Sequence, residues 1–135
     1  MIDWHNPSGK VSRFFFVGEV TNNDKRRIPL SGSLQEKMII RLANELDIIR
    51  AKWKRPIMVT SWYRPPIVNK EVGGVVNSQH ITGGAVDIYT TIGSGITFEK
   101  FLDVEWGNRA LGYGQLAGLG FTHLDLRVGR IRWNY

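Results

Sequence analysis

The twelve residues Asn77–Ile88, NSQHITGGAVDI, run from a polar loop into an apolar segment. They hold one histidine and one aspartate, seven residues apart, with Gly83-Gly84 between them. Ala85 to Tyr89 has the short apolar composition of a strand, bounded by turn residues. The glycine pair lets backbone approach backbone closely at its entrance. Two readings are open: an ordinary loop-to-strand junction, or half of a metal site.

Outward from this stretch, Pro56-Ile57-Met58-Val59-Thr60 reads as a buried strand and Phe121 to Arg127 alternates as another. Val128-Gly129-Arg130 reads as a tight turn into a last strand, Ile131 to Trp133. Ser33-Leu34-Gln35-Glu36 has the form of a capping box, and Leu34, Met38, Ile39, Leu42, Leu46 and Ile49 follow at helical spacing to an end near Lys52. Thr97 to Trp106 reads as a helix capped by Thr97, with Phe98, Phe101 and Leu102 inward. Pro65-Pro66 opens a short helix that runs through Asn69 to Val72 and stops at Gly73-Gly74. Phe14 to Val20 is expected as an extended segment lying on the core. Helices and strands mix without βαβ regularity, which predicts an α+β fold with a small antiparallel sheet packed against helices, in a single domain over residues 1–135.

The chain has no cysteine, which excludes a disulfide framework, a thiolate zinc site and a cysteine nucleophile together. Any metal must be held by histidine and carboxylate. A formal charge of +6 favours anionic partners without choosing among nucleic acid, acidic membrane and anionic wall polymer. The basic residues are scattered rather than massed, and no nucleic-acid-reading motif is present. Phe14 to Val17 is too short for the apolar core of an export signal, and no run approaches the ~20 residues of a membrane span. The expectation is a protein made in the cytoplasm without a signal peptide and not held in a membrane.

His5 sits in a polar stretch and reads as a surface residue. His80 and His123 each lie at the edge of an expected strand beside an acid, Asp87 and Asp125 respectively. Zinc accepts imidazole nitrogen and carboxylate oxygen, and a catalytic site keeps three protein ligands with one open position. A His-Asp-His set meets that requirement without cysteine, although a hydrogen-bonded core histidine is the default for either ring alone. A Ser78-His80-Asp87 triad lacks a nucleophile elbow and leaves His123 without a purpose. Gly93-Ser94-Gly95 and Gly112-Tyr113-Gly114 lack the third glycine of a nucleotide-binding fingerprint and read as turns. Arg64, just after the first strand, is either a surface arginine or a guanidinium placed to hold a carboxylate or a developing oxyanion.

Several of these segments resemble one family. Ser78 to Asp87 fits the pattern SxHxxGxAxD, SWYRPPIVNKEVGG is similar to the SGYR-P-x-x-N segment that precedes it, and GFTHLDLRVGRIRW looks like the closing (F)VHVD strand. FFFVGEV and RRIP resemble the N-terminal lead-in of the same group. The group is the zinc peptidases of bacterial cell walls, D-Ala-D-Ala carboxypeptidases and L-alanyl-D-glutamate peptidases, kin to the hedgehog signalling domain. The resemblance implies one zinc per chain on His80, Asp87 and His123, with Arg64 binding substrate and stabilising the transition state. It implies that Ser78, with Gln79 nearby, bonds the substrate backbone, and that zinc activates a water against an amide of a peptidoglycan stem peptide.

One departure stands out. Several members of the group carry an acidic general base three residues before the last histidine, where this chain has Gly120, and Phe121 stands where others have His or Trp. Asp125, on the same strand face as His123, is then either the catalytic base or the group that orients a ligand or Arg64, the orienting role being slightly favoured. Asp103 and Glu105 are further candidates for the base. The leading expectation is therefore a monomeric zinc peptidase, carboxypeptidase-like or of endolysin type, acting at the cell wall as a phage lysin or virion component. The alternative is a zinc domain that binds wall or protein without cutting it.

Overall fold

The computed structural model describes all 135 residues, Met1–Tyr135. The longest element is the helix α2, Leu34–Trp53, preceded by the five-residue helix α1, Val17–Thr21. Ser33 caps α2 by accepting from the Glu36 N–H at 3.2 Å. The reciprocal half of the expected box shifts by one residue: Glu36 accepts from Gly32 N–H at 3.0 Å, and its other oxygen accepts from the Trp4 indole at 2.6 Å. Ile39, Leu42, Ala43, Leu46 and Ile49 form the buried stripe. Leu34, expected in it, is exposed because it sits in the first turn, beyond the sheet's reach.

Five strands follow: β1 Ile57–Ser61, β2 Ala85–Thr90, β3 Arg109–Tyr113, β4 Thr122–Val128 and β5 Ile131–Asn134, in the sheet order β1-β2-β4-β3-β5. The first three pairings in that order are antiparallel, and β3 pairs with β5 in parallel. With α3, Pro66–Glu71, and α4, Gly95–Glu105, this is the expected α+β fold with a mostly antiparallel sheet.

Three local expectations change. Residues 17–21 are helical rather than extended, because the Glu19 carboxylate reaches back to the Phe16 N–H at 3.0 Å; Phe15, Val17 and Val20 still pack on the core. Helix α4 begins two residues before Thr97, and its cap is Ser94, which accepts from the Thr97 N–H at 3.4 Å. Gly112 and Tyr113 lie in strand β3, not in a turn.

That strand also explains β5. The edge of β4 that a hairpin would use is already taken by β3, so the chain reverses around the start of β3, where Gly129 N–H donates to Asn108 C=O at 2.9 Å. It then adds β5 on the far side of β3.

The strand parity divides the sheet into two faces. Val86, Ile88, Leu111, Leu124 and Leu126 join the α2 stripe, Phe98, Leu102 and Trp106 in one core of 20 buried residues. The opposite face carries Asp87, His123 and Asp125, since Asp87 pairs with His123 and Ala85 with Asp125. No helix is long and apolar enough to cross a membrane.

Candidate metal centre

His80 lies in a 3-10 turn, Gln79–Thr82, that leads into β2. Trp62, fully buried just beyond β1, clamps this turn at both ends. Its indole N–H donates to Gly83 C=O at 3.1 Å, and its own carbonyl accepts from His80 Nδ1 at 2.7 Å. A carbonyl only accepts, so Nδ1 donates to it, and Nε2 is the nitrogen turned toward Asp87. Gly83 makes the turn possible: its φ is +83°, and a Cβ there would stand 2.7 Å from the Gln35 carbonyl oxygen of α2.

His80 Nε2 is 3.2 Å from Asp87 Oδ1, and His123 Nδ1 is 3.0 Å from the same oxygen. One donor atom from each of the three residues lies within 4.8 Å of the others. The His123 ring uses its second nitrogen to donate to Asp125 Oδ2 at 2.8 Å. Two imidazole nitrogens and one carboxylate oxygen, each ring fixed by an oxygen behind it, are the donor chemistry that zinc selects.

The electrostatics agree with that arrangement. Burial alone would raise the Asp87 carboxyl, yet the rings of His123 and His80 hold it well below the usual carboxylate range. Burial opposes charge on His123, but Asp125 and Asp87 more than offset this and raise its pKa. Asp125 is itself held low against its burial by His123 and Arg127.

Asp125 does not reach the open side of the site. It is completely buried, and its oxygens accept from His123, from the Arg127 N–H at 3.1 Å, and from Arg127 Nε and Nη2 at 3.0 Å each. Asp103 and Glu105 are elsewhere: Asp103 binds Tyr113, Arg130 and Arg132, and Glu105 binds Lys52.

The three donor residues open on a cleft of about 480 Å³. Arg64, Ser78 and Gln79 line it with them, and so do Phe121, Arg127, Trp133 and Tyr135. Arg64 is tied to the metal-side turn by its backbone N–H to His80 C=O at 3.1 Å and by Nη2 to Ser78 Oγ at 3.4 Å. Its Nε is buried without a partner, and burial lowers its pKa, opposed by Asp87 and aided by Arg27. Gly120, in the left-handed region at φ +80°, offers no side chain to the cleft.

Reading the sequence alone missed Trp62, Arg127, Trp133 and Tyr135 as parts of this site. Parity along β4 was a usable signal for Arg127, which shares a face with His123 and Asp125. No such signal exists for Trp133, whose neighbours depend on β3.

No curated protein sequence matches the chain. A family model described as Peptidase M15 matches residues 19–125, a span that holds Arg64, Ser78, His80, Asp87, His123 and Asp125. With that match over most of its length, the chain belongs to the M15 peptidase family.

Proposed function

We propose that this chain is a zinc peptidase that hydrolyses a D-amino-acid-containing peptide bond in the stem peptide of peptidoglycan. The observation that carries the reading is the convergence of His80 Nε2, Asp87 Oδ1 and His123 Nδ1 at the floor of a cleft that Arg64 also lines. When bound, zinc supplies a Lewis acid that activates a water and polarises the scissile carbonyl. Arg64, which lines the cleft, would hold a substrate carboxylate or the oxyanion that forms on attack. Ser78 and Gln79 flank it to bond the substrate backbone. Asp125 fixes His123 in the tautomer that leaves Nδ1 unprotonated; with every oxygen engaged, its role is orientation. The charge of +6 suits an anionic wall. The protein acts as a monomer on that wall, with delivery as a phage lysin or virion part, and uses neither nucleic acid nor membrane.

A second reading, a zinc domain that binds stem peptide without cutting it, draws on one observation. Asp87 is the only carboxylate that lines the cleft, and it belongs to the donor set. No separate acid stands ready to take a proton from water.

Elemental analysis is expected to find about one zinc per chain, and chelation is expected to lower the melting temperature. Wall fragments digested by the zinc-loaded protein and read by mass spectrometry then decide between the two readings. New termini at a D-residue support the peptidase, and Arg64→Ala should lower its kcat/KM by about 10²–10³-fold. Intact fragments retained by a zinc-loaded protein support the binder. A protein that takes up no zinc overturns both.

A further inference from the structure

Trp133 and His123 are not neighbours in the sheet. His123 on β4 pairs with Gly112 on β3, and Gly112 pairs in turn with Trp133 on β5. Two strand spacings of roughly 4.8 Å put the two backbones about 10 Å apart. Their rings nevertheless stand 5.1 Å apart between centroids, tilted by 55°. The indole closes the distance by lying down across β3, and it can do so only over a glycine. A Cβ on residue 112 would meet the indole's Cε2, Nε1 and Cζ2 at 2.6, 2.7 and 2.8 Å.

Trp133 touches a second member of the same group. The Arg127 guanidinium stands 5.5 Å from the centroid of an indole ring, while Nε and Nη2 hold both oxygens of Asp125. Asp125 holds His123 Nε2, and His123 leans on the indole. The four side chains form a closed ring: histidine, carboxylate, guanidinium, indole, histidine. Arg127 is a long side chain whose exposure of 42% would leave it free to swing into water. An indole face against it restrains that motion. The family match stops at residue 125, so Arg127, β5 and Trp133 lie outside it.

We propose that Trp133 is a positioning residue for the donor nitrogen of His123. It acts by direct contact with that ring and by holding Arg127 on Asp125, and residue 112 is a glycine so that the indole can lie between the strands. The inference rests on the zinc reading of the site.

The test is zinc affinity, measured by competition with a chromophoric chelator, on wild type, Trp133→Ala, Trp133→Phe, Gly112→Ala and Arg130→Ala. Arg130 is a control at the same end of the sheet that binds only Asp103. Trp133→Ala and Gly112→Ala are expected to weaken zinc by about 10–100-fold, the usual effect of removing an outer partner of a ligand. Trp133→Phe should recover part of the loss, and Arg130→Ala should stay within twofold of wild type.

Long-range ¹H–¹⁵N spectra of the zinc-loaded proteins give a second readout. The wild-type His123 ring should show a single Nε2–H tautomer, and Trp133→Ala a broadened or mixed one. A folded Trp133→Ala that keeps wild-type affinity and tautomer overturns the proposal. So does an equal loss in Arg130→Ala. A wild type that binds no zinc overturns the zinc reading beneath it as well.

Discussion

Asp125 and Asp103 collect arginines from the same end of the chain, on opposite faces of one sheet. Asp125 takes Arg127 and His123 on the cleft face. Asp103, on α4, takes Tyr113 at 2.7 Å, Arg130 at 2.9 Å and Arg132 at 2.7 Å on the helix face. In number of hydrogen bonds accepted by the carboxylate they are alike, four each, but in solvation they differ: the Asp125 side chain is wholly buried and that of Asp103 is 28% exposed. A buried ionic group left without its partner cannot turn to water, whereas an exposed one can. The cleft-side cluster therefore ends at a candidate metal ligand and tolerates little change. The helix-side cluster is a fastening: Arg132 also donates to the Asp103 and Trp106 carbonyls, closing the C-terminal turn of α4 against β5.

The largest effect should come from Asp125→Ala. It strips the acceptor from His123 Nε2 and from the Arg127 guanidinium inside the protein. The expected loss is about 3–5 kcal/mol of stability, read from urea unfolding, and roughly 10–100-fold in zinc affinity. Asp125→Asn, which keeps the shape, should lose affinity with less loss of stability. If either variant kept wild-type zinc affinity and lost only turnover, Asp125 would be the base after all, and the contrast with Asp103 would rest on chemistry rather than burial.

The contrast also marks how far the sequence could be read. His80 and His123 stood out as candidates because each was expected at the edge of a strand beside an acid, Asp87 and Asp125, and because local features set the geometry: the glycine turn before β2 and the alternation along β4. Helix α2 was legible from its cap and stripe. Strand β3, Arg-Ala-Leu-Gly-Tyr, was not, because it is five residues long and its glycine imitates a turn. The glycine is there for an indole that arrives from a strand 21 residues later. Missing β3 meant that β5 could only be read as the hairpin partner of β4. Without β5 in its place, neither the Trp133 contact nor the Asp103 cluster could be foreseen. Both depend on pairings between distant residues, which local periodicity does not encode.

Asp103→Ala should produce a smaller and differently shaped change. Water can reach the freed ends of Tyr113 and Arg130, so the expected loss is about 1–2 kcal/mol, or a few degrees in melting temperature. Zinc affinity should stay within twofold of wild type, because no bond links Asp103 to the donor residues. A tenfold loss of zinc in this variant would show that the helix-side fastening transmits to the cleft through β5, and that the two clusters are one.

The smallest effect is in the pH dependence. Burial would raise the Asp103 carboxyl, but Arg132, Tyr113 and Arg130 bring it down from 3.8 to about 2. A carboxyl whose folded pKa is depressed adds stability above its unfolded pKa and gives it up as pH falls through the folded one. For Asp103 that window runs from 3.8 down to about 2. Urea midpoints of wild type and Asp103→Asn, compared across that range, should therefore converge as the solution is acidified. At neutral pH the gap between them should stay constant. A gap that persists unchanged to pH 2 would mean that Asp103 contributes through the geometry of its hydrogen bonds and not through its charge. Its likeness to Asp125 would then end at the number of hydrogen bonds.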